Sequence, residues 1–263
     1  MLFNTLKAPL DSRAVRQALA YASDRDAVVT QLSGPLQPGI KPPQAFMSPG
    51  NRQWYSEPFK RYGRDLAKVT QLMTGDGWSK GADGVWAKAG TRATIELNTA
   101  SGNRRRELTA QILQSQWKEA GFESTIRNTA SATLLGDWLP KGTFQAAVFG
   151  IAPATSDPDL CGQFCSRIIP TEANGYKGND TSRISSGALD DAWDAVAKEL
   201  DDAKRLQLVG QGQQILSDEV PALPISPVLD IIVYNSAKVS GVKVTPNGAF
   251  YNLSEWYCRT GKC

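Results

Sequence analysis

The feature that most constrains this chain is a strand–helix–strand pattern at its centre. Thr94-Ile95-Glu96-Leu97-Asn98 alternates apolar and polar residues, as a half-buried strand does. Leu108, Ile112, Leu113 and Trp117 then mark one face of a helix ending at Gly121, and Phe122 to Ile126 reads as the next strand. A helix set between two short strands predicts a parallel pair joined by a crossover, which places the chain in the α/β class.

The flanking segments fit that reading. Asp11 is placed to cap a helix carrying Val15, Ala18, Leu19 and Ala22, with a second helical set from Ala27 to Val29. Pro35, Pro38, Pro42 and Pro43 keep the stretch from Gly34 to Pro49 irregular. Asp65 caps a short helix with Leu66, Val69, Leu72 and Met73, stopped by Gly75. Trp78 to Trp86 reads as a hairpin turning at Asp83-Gly84. Further on come a helix around Leu134 to Trp138 and a buried strand from Phe144 to Phe149. Two late helices carry Leu189, Trp193, Val196 and Leu200, then Leu206, Val209, Ile215 and Leu216, until Pro221 and Pro224 end the run. Ile225 to Tyr234 reads as the last long strand.

Composition removes several functions. The 263 residues include no histidine, so Ser-His-Asp and Cys-His relays, His-ligated metals and an imidazole switch are all excluded. A net charge of +3 with mixed signs is too weak to argue for nucleic acid. Arg104-Arg105-Arg106 opens a helical pattern and reads as a solvated first turn, with a phosphate-binding patch the lesser alternative because no aromatic platform accompanies it. The acid pairs Asp190-Asp191 and Asp201-Asp202 read as solvated helix faces, and no group suggests catalysis or a cofactor. The apolar run around Val228-Leu229 and Ile231-Ile232-Val233 is broken by Asp230, well short of the ~18 residues a membrane span needs. Met1 to Lys7 does not read as an export signal, so the chain is either cytoplasmic, or mature or excised from something longer.

Cys161 and Cys165, and Cys258 and Cys263, form two close pairs that suit small-loop disulfides in an oxidising compartment. A four-thiolate zinc site and free thiols are the alternatives, although C-x2-C spacing is absent. The loop from Gly150 to Asp159 leaves the carboxyl end of a buried strand, where open α/β sheets place ligands. Its other reading is a rigid, proline-bearing connection. Candidate ligand contacts are Asn98, Thr99 and Ala100 at a strand end, Gly150, Ile151, Ala152, Ala154, Ser156 and Asp157 in that loop, and Tyr176 beside a later one.

The opening Leu2-Phe3-Asn4-Thr5 and the block Pro9 to Val29, with its Val15-Arg16-Gln17-Ala18-Leu19-Ala20-Tyr21-Ala22-Ser23-Asp24-Arg25 core, resemble the family 5 extracellular solute-binding proteins. These are the oligopeptide-, dipeptide- and nickel-binding components of ABC importers. Further elements agree in order: Tyr62 to Trp78, Asp83-Gly84, Gln114 to Gly121, Phe149-Gly150, Asp157-Pro158-Asp159, Asn174-Gly175-Tyr176 and Val220-Pro221-x2-Pro224-Ile225. The resemblance runs end to end but matches only the later half of a typical member. It implies a periplasmic-binding-protein type II-like lobe, a mixed sheet flanked by helices. Residues 1–224 would form the ligand-binding lobe, and 225–263 a crossover strand and terminal segment returning toward a missing N-terminal lobe.

The implied function is capture of an oligopeptide or similar small polar solute between two lobes, with delivery to ABC permease subunits. The implied location is extracellular or periplasmic, anchored to the membrane outer face in the full-length protein. The position of the relatives' amino-group aspartate is Ala154, and that of their carboxylate arginine is about Ala100. A free dipeptide would thus lack several charge-assisted bonds of roughly 1.5–3 kcal/mol each. The alternative is a binding-protein fold without a ligand, serving as a protein-interaction scaffold.

Overall fold

The computed structural model describes residues 1–151, 157–229, 231–243 and 250–261. The chain divides into two compact units, Met1–Pro227 and Val228–Cys263. In chain order the first unit contains β1 (Leu2–Phe3), α1 (Arg13–Ala22), α2 (Arg25–Leu32), α3 (Leu66–Gly75), β2 (Ser79–Lys80), β3 (Trp86–Lys88) and β4 (Thr91–Arg92). It continues with β5 (Thr94–Ala100), α4 (Arg104–Glu119), β6 (Glu123–Thr129), α5 (Ser131–Thr133), α6 (Leu139–Lys141) and β7 (Ala146–Val148). The last helices are α7 (Cys161–Phe164), α8 (Gly187–Lys198) and α9 (Asp202–Glu219). A π-helical turn, Leu134–Trp138, joins α5 to α6.

The central sheet has the order β1-β7-β5-β6. β5 runs parallel to β6, with Leu97 opposite Ile126, and parallel to β7, with Leu97 opposite Ala146. β1 is antiparallel to β7, with Leu2 opposite Ala147, so the sheet is mixed. Ile95, Leu97, Ala146 and Ala147 are fully buried, and α4 packs against β5, β6 and β7. The crossover helix α4 starts on its cap Asn103, whose side chain accepts the Arg106 N–H at 3.1 Å. It buries Ala110, Leu113 and Trp117 and turns into β6 at Gly121, whose φ is +95°. A Cβ there would lie 2.8 Å from the Gly84 carbonyl, so only glycine lets the helix end meet the β2–β3 hairpin.

That hairpin turns where the sequence predicts, with Ser79 opposite Ala87 and Gly84 at φ +79°. The first helix differs in detail. Ser12, not Asp11, occupies the position before α1, and its hydroxyl donates instead to Asp76 Oδ2 at 2.9 Å. The expected strand from Ile225 to Tyr234 is absent among the described residues. Pro224 and Pro227 offer no N–H, no described strand pairs with it, and Val228, Ile231 and Val233 are 60%, 63% and 89% exposed. An apolar run alone did not make a strand without a ladder.

The α8–α9 pair carries a packing test. A Cβ on Gly212 would lie 2.9–3.1 Å from three atoms of the fully buried Trp193 indole, whereas one on Gly210 would meet nothing within 4 Å. Glycine inside a helix costs about 0.8–1 kcal/mol relative to alanine. Gly210→Ala is therefore expected to stabilise by up to about 1 kcal/mol. Gly212→Ala should destabilise by about 1–3 kcal/mol, because overpacking outweighs the propensity gain. Paired urea melts check the sign difference, and equal effects would show that the two helices separate at no cost.

In the second unit β8 (Val239–Ser240) pairs antiparallel with β9 (Tyr257–Cys258). Asn252 is buried between them, accepting the Trp256 indole N–H at 3.0 Å and donating to the Gly241 carbonyl at 2.6 Å. Cys161 and Cys165 form a disulfide, and Cys258 is also disulfide-bonded; Cys263 lies outside the described residues. No described helix is long and apolar enough to cross a membrane.

Candidate functional site

Strand direction marks out one edge of the sheet. β5, β6 and β7 end at Ala100, Thr129 and Val148 on one edge of the sheet, and antiparallel β1 begins there. The segment after α9 reaches the same edge, since Leu2 bridges Ala222 and the Leu223 N–H bonds the Met1 carbonyl at 2.8 Å. Loops leaving the carboxyl ends of parallel strands form the natural crevice of an α/β sheet.

The expected contacts fall unevenly around that edge. Asn98 and Thr99 are fully buried. Asn98 Nδ2 donates to Glu96 Oε1 at 3.0 Å and the Arg127 carbonyl at 3.1 Å. Thr99 Oγ1 donates to the Val148 carbonyl at 2.8 Å, tying β5 to β7. Ala100 is buried at the strand end, Gly150 is exposed and Ile151 half-buried. Ala152, Ala154 and Ser156 lie outside the described residues.

Asp157 is exposed, and its Oδ1 pairs with Arg205 Nη2 at 2.6 Å. Arg205 also lies 5.6 Å over the Trp54 ring and donates from Nε to the Val196 carbonyl at 3.1 Å. The carboxylate is thus engaged in fixing the start of the Asp157-Pro158-Asp159 run to α9. Asp159 Oδ1 accepts the Cys161 N–H at 2.7 Å, which starts the disulfide-closed α7.

Tyr176 is not brought to this edge. It follows a capped turn in which Thr171 and Asn174 bond reciprocally, and it adopts φ +58°. Its charged neighbours are Lys141 and Arg183, and Arg183 Nη1 bonds the Leu139 carbonyl at 3.4 Å on the amino side of β7. The Asn174-Gly175-Tyr176 element is a turn in which Tyr176 is half-buried.

Two side chains that the sequence read as part of a solvated first turn do stand there. Arg105 Nη1 donates to the Pro227 carbonyl at 3.2 Å, and Arg106 Nη2 would lie 3.2 Å from a Cβ built on Gly150. The signal that finds them is topological: a crossover helix must begin where its preceding strand ends. Two grooves of about 470 and 570 Å³ lie elsewhere. They share Arg13 and Asp76 and contain none of the expected contacts. Among the described residues no cluster of His, Cys, Asp or Glu could hold a metal.

Comparison with known proteins agrees with this architecture. The family model described as bacterial extracellular solute-binding proteins, family 5 Middle, matches residues 1–163. The chain is 27% identical to the dipeptide-binding protein of Pseudomonas aeruginosa, with 96% of this chain and 44% of that protein covered. It is 24% identical to heme-binding protein A of Haemophilus influenzae, with 96% and 43% covered. The chain thus spans less than half the length of these relatives. The oligopeptide-binding protein of Thermus thermophilus, complexed with a pentapeptide, superimposes with a TM-score of 0.73 at 26% identity, covering 85% of this chain and 40% of that one. Bacillus subtilis AppA, solved with a nonapeptide, gives 0.75 at 21% identity, covering 98% and 49%, a likeness of fold. The lobe is of the type II periplasmic-binding class, as its mixed sheet implies. With more than half its residues inside the family model, this chain belongs to the bacterial extracellular solute-binding proteins of family 5.

Proposed function

We propose that this lobe forms one wall of a two-lobed solute receptor of an ABC importer, outside the cytoplasmic membrane. A facing lobe supplies the other wall, closure traps an oligopeptide or similar small polar solute, and the closed form docks on the permease. Residues 1–224 serve as the binding lobe in this reading, and 225–263 return toward the facing lobe. The observation that carries the reading is the family match over residues 1–163, which includes the strands and loops of the carboxyl edge. The solute contacts belong to that edge: Ala100, Gly150 and Ile151 lie at it, and the loop continues through Ala152, Ala154 and Ser156. A membrane anchor on the complete protein is part of the proposal. The lobe binds and releases without transforming its solute, since no catalytic grouping is apparent in the sequence.

Thermal denaturation of the complete receptor against pools of di- to octapeptides, with sugars as controls, tests this. A ligand at 100 times its Kd should stabilise by about 2.7 kcal/mol. Stabilisation by peptides alone supports peptide capture. No response to any solute would sink the transport reading and favour a ligand-free interaction scaffold. The lobe by itself should respond only weakly, because most convergent contacts need both walls.

A further inference from the structure

The two ends of the crevice loop are held by different means. At its start β7 is locked into the sheet: Val148 lies opposite Thr99, whose hydroxyl donates to the Val148 carbonyl at 2.8 Å. At its far end the chain from Asp157 to Leu160 has no regular structure. Pro158 has no N–H, and no backbone–backbone hydrogen bond joins Asp157 or Pro158 to another described residue. Pro158 and Leu160 are buried, but burial of apolar surface is non-directional. Direction comes from the Asp157 carboxylate, whose Oδ1 meets Arg205 Nη2 at 2.6 Å.

Arg205 is itself aimed by three elements. It stands in the first turn of α9, where the cap Asp201 accepts the Lys204 N–H at 2.9 Å and the Arg205 N–H bonds the Asp201 carbonyl at 2.8 Å. Its Nε donates to the Val196 carbonyl of α8 at 3.1 Å, and its guanidinium carbon lies 5.6 Å over the Trp54 ring. Trp54 is buried, and its carbonyl accepts Gln213 Nε2 from further along α9 at 3.0 Å. The guanidinium therefore reaches Asp157 with its plane already fixed. The Arg205 side chain is 23% exposed and that of Asp157 67%. An ion pair this open adds little to global stability, so its consequence is one of position.

We propose that Arg205 is a positioning residue for solute capture: from α9 it sets, through Asp157, the arm by which the crevice loop returns to the lobe. The proposal rests on the solute-capture reading above and deepens it. The geometry calls for arginine. A planar fork donates from Nε to Val196 and from Nη2 to Asp157 at once, and a lysine ammonium does not reproduce both bonds.

Hydrogen exchange on the 263-residue chain and peptide titration of the complete receptor test it, each on wild type, Arg205→Ala, Arg205→Lys, Asp157→Ala and the double alanine variant. The Cys161 N–H, which donates to Asp159 Oδ1 at 2.7 Å, reports the position of the arm. It should exchange about tenfold faster in each alanine variant and no faster still in the double one. In the complete receptor, pools of di- to octapeptides should bind about tenfold more weakly in each alanine variant and in the double variant alike, while the peptide-free melting temperature barely moves. Arg205→Lys should recover only part of either loss. Asp157→Ala behaving as wild type while Arg205→Ala melts lower would make Arg205 a strut between α8 and α9 and overturn the proposal. Losses that add in the double variant would overturn it too, because Asp157 would then act on the solute independently of Arg205. Unchanged peptide binding in Arg205→Ala overturns the proposal and spares the capture reading. A wild-type receptor that ignores every peptide overturns the capture reading, and the part in capture assigned to Arg205 falls with it.

Discussion

Arg25→Ala is expected to destabilise the protein by about 3–5 kcal/mol, among the largest effects of any single substitution here. Arg25 opens α2 and is 4% exposed. Nη1 donates to the carbonyls of Pro43 and Pro224 at 3.0 and 3.1 Å. Nη2 donates to Gln44 Oε1 at 2.9 Å and to the Phe59 carbonyl at 2.7 Å. One guanidinium therefore joins α2, the proline-rich loop, the 3-10 turn Pro58–Arg61 and the segment after α9. Burial lowers its pKa to about 10, which leaves it charged at neutral pH. Its partners are neutral oxygens, and hydrogen bonds to a charged donor contribute about 1.5–3 kcal/mol each. These contributions do not add, yet their loss strands five acceptors, the Tyr62 carbonyl at 3.5 Å included, where the proline-rich loop has few N–H groups of its own. Arg25→Lys should fall between wild type and alanine, because an ammonium lacks the planar fork that reaches both sides. Urea unfolding at neutral pH measures the series. A loss under about 1 kcal/mol for alanine would mean that water reaches those carbonyls and that the bonds are not holding the loop.

The same residue shows what could be read from sequence and what could not. Arg25 lies in the block that carried the family resemblance, but nothing in its spacing says that five distant oxygens converge on it. Periodicity reports which face of an element is buried, and it served well for α4, where Leu113 and Trp117 are core, and for the parallel pairing of β5 with β6. The apolar run from Ile225 to Tyr234 misled, since a strand exists only through a partner ladder that such a run does not specify. The crevice edge was legible through topology: Gly150 and the end of β5 lie there. Tyr176 was legible only as part of a turn, because Asn174-Gly175 encodes a turn equally well anywhere on the surface. The arginines of α4 were read as solvated because charge runs usually are.

Asp180 is expected to make the protein less stable as pH rises from about 4 to about 7, a direction opposite to that of most carboxylates. Its side chain is fully buried. Oδ1 accepts the Ser182 hydroxyl and the Arg183 N–H at 3.1 Å, while Oδ2 has no partner. The Ser182 carbonyl in turn accepts the Thr5 N–H and hydroxyl at 2.8 and 3.1 Å, so this loop holds the chain as it leaves β1. The Arg183 guanidinium is turned away toward the carbonyls of Leu139 and Pro140. Burial pushes the Asp180 carboxyl from 3.8 up to about 7. Between these values the folded protein keeps a proton that the unfolded chain has released. The stabilisation is therefore complete below about 4 and is lost as pH rises through 7, on the order of 4 kcal/mol. Asp180→Asn stays neutral and keeps an oxygen for Ser182 and Arg183. Unfolding free energies of variant and wild type should converge near pH 4 and separate in favour of the variant by pH 8, with other titrating groups cancelling in the difference. A difference that stays flat with pH would show that Asp180 ionises normally and that Oδ2 is solvated in the folded protein.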